Sequence, residues 1–145
     1  MISAMLKPRV SDSYGAGHFG APRGERTHNG IDYAAEPGAA ILAPVSGIVT
    51  KLGYPYADDL AFRYVEVLDA HGMQHRVFYI KPTVRKGDEV KAKITVIGYA
   101  QDLTKRYPKD DDHPEGIINH VHYEIRNAMR IYIDPIKYFT STEAS

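Results

Sequence analysis

The sequence predicts a mostly β domain, a compact antiparallel β-sheet with long loops, and three observations favour it. Gly and Pro recur about every ten residues along the 145-residue chain, as is typical of short strands joined by turns. The apolar segments between them are short and rich in β-branched and aromatic residues. They show little of the 3.6-residue periodicity of an amphipathic helix. We therefore expect one domain over residues 1–145, with its core over about 10–139 and a flexible tail over 140–145.

The strands can be assigned in chain order from their apolar patterns. The predicted strands are 39–45, 47–52, 62–68, 76–80, 96–99 and 120–125. The DAHG turn that separates the third strand from the fourth predicts a β-hairpin. Two long loops, 11–27 and 101–118, interrupt the pattern, and long loops in a small domain are commonly functional.

The composition limits the partners and ligands of the protein. Lys plus Arg and Asp plus Glu each number 18, so no basic surplus predicts binding to nucleic acid or to an anionic membrane. No segment approaches the length of an apolar membrane span. The chain has no cysteine, which excludes both a disulfide framework and a thiolate zinc site. Any metal must therefore be held by histidine and carboxylate side chains.

Four residues in two short motifs form the strongest candidate for a functional site. His28 and Asp32 lie four residues apart in HNGID, directly after the first long loop. His120 and His122 lie in HVH, and side chains two apart on a strand project from the same face. Two imidazoles and one carboxylate leave the fourth tetrahedral position open, the usual form of a catalytic zinc site. The alternative is that HNGID has a surface or capping role and that HVH contributes two half-buried histidines bonded to backbone.

Five segments in order resemble the lysostaphin/LytM-type zinc endopeptidases over roughly residues 10–139. The segments are HNGIDYAAEPGAAILAPVSGIVTKLG, FYIKPTVRKGDEV, VIGYAQ, HVHYEI and YIDPIKYF. The resemblance implies a compact antiparallel fold with a substrate groove between loops, and one zinc ion per chain held by His28, Asp32 and His122. It implies that His120 is the catalytic histidine and that the substrate is a peptide of bacterial peptidoglycan.

The sequence departs from this family at one catalytic position. Members of the family commonly carry a second histidine in a Y-x-H-L context, whereas this chain has Tyr79 followed by Lys81 in FYIKP. A lysine near its ordinary pKa of about 10.4 is protonated, so Lys81 can stabilise an oxyanion but cannot act as a base. We expect Lys81 or Tyr79 to supply the second donor. FYIKP also resembles the branch of the family that includes leukocyte cell-derived chemotaxin, a signalling protein.

Further residues carry smaller predictions. His18 and Arg23, in the loop before HNGID, either line the substrate groove or serve the loop structurally. Glu124 would lie on the same strand face as the two histidines of HVH, where it can accept a hydrogen bond from one imidazole. His75 is expected to be a surface histidine of the hairpin.

Two functions remain open, a zinc endopeptidase of peptidoglycan and an inactive zinc-binding module that keeps the metal for folding or recognition. A third, a structural component of a larger assembly, has less support. The first ten residues, MISAMLKPRV, contain no apolar run of signal-peptide length. We therefore expect a protein without a signal peptide that acts on the cell wall as a phage lysin or virion-associated lytic protein, or a catalytic domain trimmed from a larger enzyme.

Overall fold

The computed structural model describes residues 7–8, 19–20, 22–23, 26–27, 29–104, 106–107 and 117–143. Its elements in chain order are β1 (Lys7–Pro8), β2 (Pro22–Arg23), β3 (Arg26–Thr27), β4 (Ile31–Ala34), β5 (Ala40–Leu42), β6 (Gly47–Gly53), β7 (Tyr64–Leu68), β8 (Gln74–Phe78), β9 (Ile80–Pro82), β10 (Glu89–Val90), β11 (Val96–Ala100), β12 (His120–Arg126), β13 (Tyr132–Ile133) and α1 (Pro135–Glu143).

The strands form one large antiparallel sheet and two small ones. The large sheet has the order β1-β4-β12-β8-β7-β6-β10, and β13 pairs with β12. A three-stranded sheet has the order β5-β11-β9, and β2 pairs with β3. This architecture confirms the predicted mostly β, antiparallel fold. The predicted strand 76–80 differs, because the chain turns at Tyr79 and passes from β8 in the large sheet to β9 in the small one.

The alternation of side chains along β12 separates the core from a polar face. Val121, Tyr123 and Ile125 are fully buried in a cluster that includes buried isoleucines from all three strands of the small sheet. Because neighbouring residues of a strand project to opposite faces, His120 and His122 lie on the other side of the sheet. The core therefore fixes the position of the strand that carries both histidines.

Helix α1, which the apolar periodicity did not predict, closes the described chain. Asp134 precedes it, and its Oδ1 accepts a hydrogen bond from the backbone N–H of Ile136 at 3.0 Å. An aspartate cap followed by Pro135 at the first helical position is a strong start signal. Tyr138 and Phe139 pack against the core. The helix continues to Glu143, within the segment 140–145 that was expected to be a flexible tail.

His75 is buried, so its prediction as a surface histidine is wrong. It lies on β8 and has no exposed surface. Residues two apart on a strand project to the same face, so His75 faces the core together with Val77. Its Nε2 lies 2.8 Å from Asp69 Oδ2, and its Nδ1 lies 2.6 Å from the hydroxyl of Tyr123. Burial lowers the pKa of His75, although the hydrogen bond with Asp69 opposes this effect.

No helix in the described part of the chain combines the length and the apolar character needed to cross a bilayer.

Candidate metal centre

Strands β4 and β12 bring two of the predicted zinc ligands together. Their register places Asp32 directly opposite His122, and His120 opposite Ala34. The strands can approach this closely near the start of β4 because residue 30 is glycine. A Cβ added there would lie 2.2 Å from the backbone oxygen of Tyr123.

The polar atoms of the three residues face one another in a mostly buried site. Asp32 Oδ1 lies 3.0 Å from His122 Nδ1, and Asp32 Oδ2 lies 3.5 Å from His120 Nε2. Asp32 is only 3% exposed. His120 Nδ1 lies 2.8 Å from the backbone oxygen of Ile118, so Nδ1–H donates there and the neutral ring keeps a lone pair on Nε2.

Glu124 determines which nitrogen of His122 is available to a metal. Its Oε1 lies 2.9 Å from His122 Nε2, which confirms the contact predicted from strand parity. Because Nε2–H donates to Glu124, the lone pair of Nδ1 in the neutral ring points towards Asp32. Two acceptors that face each other need a proton or a cation between them. Burial lowers the pKa of His122, but the carboxylates of Asp32 and Glu124 raise it more, to about 9.

These residues fit a zinc ion by donor type and by spacing. Bonds of about 2.0–2.1 Å in a tetrahedral site put neighbouring donor atoms about 3.3 Å apart. The observed 3.0 Å between His122 Nδ1 and Asp32 Oδ1 is close to this value. The third predicted ligand, His28, lies outside the described residues. Without His28, the described residues contain no group of three His, Asp or Glu side chains arranged to hold a metal.

Tyr79 and Phe78 both contact the site, although adjacent residues of a regular strand would face opposite sides. The ring of Phe78 meets that of His122 edge-on at 5.1 Å, and the ring of Tyr79 meets that of His120 edge-on at 5.6 Å. The φ of Tyr79 is +71°, in the left-handed region, which breaks the alternation at this residue. Such strained residues concentrate at functional sites.

The other predicted site residues lie apart from this cluster or outside the described chain. Lys81 is exposed on β9, where it pairs with Tyr99 of β11, and no described contact joins it to His120. Its neighbour Ile80 takes the inward position on this strand. His18 lies outside the described residues, and only the backbone of Arg23, in β2, is described. The roles predicted for these residues stay predictions.

A tyrosine cluster beside His120 was not predicted as a unit. The hydroxyl of Tyr56 lies 3.1 Å from that of Tyr79 and 2.5 Å from that of Tyr107, and the guanidinium of Arg106 lies 3.5 Å from the centre of the Tyr56 ring. Burial raises the pKa of both Tyr79 and Tyr56, so these hydroxyls stay protonated. The three tyrosines lie in separate connecting segments, so sequence spacing gives no signal that they meet.

A buried charged row continues from the site along the polar face of the large sheet. Glu124 Oε2 lies 4.0 Å from a terminal nitrogen of Arg76, whose Nε lies 2.8 Å from Glu66 Oε1. The hydroxyl of Thr50 donates to Glu66 Oε2 at 2.8 Å. Burial raises the pKa of Glu66, but the hydrogen bonds from Arg76 and Thr50 and the positive charges of Arg76 and Arg126 together lower it more, so the pKa is lowered overall. The row therefore places the positive charge of Arg76 near the Glu124 carboxylate.

The fold, together with histidine and aspartate on paired central strands, defines a peptidase domain of the lysostaphin/LytM class. The model for "Peptidase family M23" matches residues 26–135, and the chain belongs to this family. Members of the family are generally metalloendopeptidases.

Proteins of known sequence and structure resemble this chain over most of its length. It is 34% identical over 116 residues to leukocyte cell-derived chemotaxin-2 of Mus musculus, which covers 80% of this chain and 71% of that protein. A mutant catalytic domain of the prophage-encoded M23 protein EnpA from Enterococcus faecalis has a TM-score of 0.67 at 20% identity, over 95% of each chain. The catalytic domain of lysostaphin from Staphylococcus simulans has a TM-score of 0.64 at 19% identity, over 87% of this chain and 90% of that one.

Proposed function

We propose that this protein is a zinc endopeptidase that hydrolyses peptide bonds of bacterial peptidoglycan. The observation that carries the proposal is the group formed by Asp32, His122 and His120, whose nitrogens and carboxylate oxygens face one another at 3.0 and 3.5 Å. Asp32 and His122 would hold the metal together with His28. A bound zinc ion supplies Lewis acidity that favours attack of water on a peptide carbonyl near neutral pH.

His120 is the group suited to move the proton in this reaction. Its Nδ1–H is held by the backbone oxygen of Ile118, which fixes the ring and leaves Nε2 as the base. Nε2 takes a proton from the attacking water and returns it to the leaving amine. Phe78 packs edge-on against His122 and so restricts rotation of that ring.

Hydrolysis of purified sacculi tests the proposal directly. Zinc-loaded protein should release new amino termini from at least one wall type, and His120→Ala should abolish the release while zinc content stays near one per chain. If the wild-type protein released no amino termini from any of a broad set of wall chemistries, the proposal would be wrong.

An inactive zinc-binding module is the second candidate, and two observations favour it. The chain is 34% identical to a protein named as a chemotaxin, and Lys81, at the position of the usual second histidine, is exposed. A His120→Ala variant that lost wall lysis but kept its zinc would exclude this candidate.

We also propose that the protein acts on the cell wall and that it is phage-encoded. The fold shared with a prophage-encoded M23 protein supports this proposal. Detection of the protein in purified virions or in lysates of an induced lysogen would test it.

A further inference from the structure

The hydroxyls of Tyr107, Tyr56 and Tyr79 form a chain whose direction follows from proton counting. Each hydroxyl carries one proton. Tyr56 donates to Tyr79 at 3.1 Å, so its proton is used there. The 2.5 Å contact between Tyr56 and Tyr107 must then be donated by Tyr107. The chain therefore runs from Tyr107 through Tyr56 to Tyr79, and the proton of Tyr79 is left for an acceptor beyond it.

The backbone holds Tyr79 at the end of this chain. Its N–H donates to the backbone oxygen of Arg63 at 2.8 Å, and its own oxygen accepts from the N–H of Gln101 at 2.9 Å. These two bonds maintain the φ of +71° that turns the ring towards His120. Phe62 packs edge-on against the Tyr79 ring at 6.2 Å. A side chain held from several sides can present its hydroxyl with little loss of conformational entropy.

We infer that Tyr79 donates its hydroxyl proton, as a hydrogen bond, to the carbonyl oxygen of the scissile peptide bond, and that Tyr56 and Tyr107 are positioning residues for it. The inference rests on the proposed function and deepens it, because it assigns the donor that the missing second histidine would supply. Lys81 is exposed on β9, and no contact among the described residues joins its side chain to His120.

The chain strengthens Tyr79 as a donor by two physical effects. A hydroxyl that accepts a hydrogen bond becomes a better donor, because successive bonds polarise one another. The guanidinium of Arg106 stacks on the Tyr56 ring at 3.5 Å and places positive charge beside the chain. Both effects favour the state in which negative charge develops on the carbonyl oxygen, so they stabilise the transition state more than the bound substrate.

Hydroxyl deletions test the inference without removing the rings that pack at the site. We would measure kcat and KM of the zinc-loaded protein and of the Tyr79→Phe, Tyr56→Phe and double variants on a soluble wall peptide. Tyr79→Phe should lower kcat roughly 100-fold with little change in KM, the size expected for one oxyanion donor. Tyr56→Phe should lower kcat roughly fivefold, as for loss of one hydrogen bond. Tyr99→Phe, an exposed tyrosine of β11, is the matched control and should leave both constants unchanged.

The double variant separates positioning from packing. If Tyr56 acts through Tyr79, then Tyr56→Phe should have no further effect on kcat in the Tyr79→Phe background. An equal loss in both backgrounds, or an unchanged kcat in Tyr79→Phe, would overturn the inference.

Binding of a phosphinic peptide distinguishes this inference from the proposed function. The tetrahedral phosphinate anion stands in for the reacting carbonyl, and its binding can be measured by calorimetry without turnover. If the wild-type protein cleaved nothing, the proposed function would fail, yet a roughly tenfold weaker binding by Tyr79→Phe than by wild type would still support Tyr79 as the donor. Equal binding by the two proteins, or absence of binding to either, would overturn the inference.

Discussion

Removal of the Glu124 carboxylate should weaken zinc binding although Glu124 is not itself a predicted ligand. Its Oε1 accepts the Nε2–H of His122 at 2.9 Å, and the residue is only 5% exposed. In Glu124→Ala this ring loses the partner that directs the Nδ1 lone pair towards Asp32. Loss of such a partner commonly costs 10–100-fold in metal affinity, which corresponds to about 1.4–2.7 kcal/mol.

A second substitution divides this effect between hydrogen bonding and charge. Glu124→Gln keeps an oxygen that can accept from His122 but removes the charge beside Arg76, whose guanidinium lies 4.0 Å from Oε2. We expect its zinc affinity to fall roughly threefold to tenfold, less than for Glu124→Ala, because one hydrogen bond is retained. Glu89→Gln, on the exposed edge strand β10, is the matched control and should bind zinc as the wild type does.

Competition with a chromogenic zinc chelator at neutral pH measures these affinities. Thermal unfolding of the metal-free variants shows whether a loss of affinity comes with a loss of the fold. A Glu124→Ala variant that stayed folded and bound zinc within about twofold of wild type would refute the role of Glu124, since the expected effect is at least tenfold.

Three further predictions concern the fold around the site. Gly30→Ala should lower the free energy of unfolding by about 3 kcal/mol, because the added Cβ would lie 2.2 Å from the backbone oxygen of Tyr123; an unchanged melting temperature would contradict this. Stability should fall as the pH drops below about 6.5, because the pKa of His75 is lowered in the folded state and the unfolded chain therefore binds more protons. The pKa of Asp69 is also lowered in the folded state, so stability should fall further under more acidic conditions. Urea unfolding from pH 8 to pH 4 should show this dependence of the free energy of unfolding on pH. His75→Gln should weaken the dependence just below about pH 6.5. An equal pH dependence in the variant and the wild type would exclude His75 as its source. Tyr138→Phe should cost about 2 kcal/mol in the same assay at pH 7, because its hydroxyl donates to the Asp69 carboxylate at 2.5 Å; a cost near zero would show that the bond contributes nothing net.

Local patterns were sufficient to predict four of the eight described strands of the large sheet, namely β6, β7, β8 and β12. The predicted strands 47–52 and 120–125 match β6 (Gly47–Gly53) and β12 (His120–Arg126) within a residue at their ends. Alternation of apolar and polar residues specifies such strands because one face packs on the core. The same alternation predicted that Glu124 lies beside the two histidines of β12.

Features that depend on distant partners were not predictable in this way. The left-handed φ of Tyr79 is costly for a tyrosine, and it is maintained by hydrogen bonds to Arg63 and Gln101, which lie 16 and 22 residues away in the sequence. No pattern within segment 76–80 identifies those partners, so the segment resembles one continuous strand. His75 was misjudged for a related reason, since its burial depends on Asp69 and Tyr123 as hydrogen-bond partners.

The break at Tyr79 also explains how one strand can serve both the core and the site. If β8 continued without interruption, the alternation that places Phe78 against His122 would direct Tyr79 into the core. The left-handed turn instead lets two consecutive aromatic rings contact the two histidines of β12, while the chain proceeds into the small sheet and buries Ile80 on the core side. The strain at Tyr79 is thus tied to the position of its hydroxyl, and a glycine there would relieve the strain but remove the donor that we assign to the reaction.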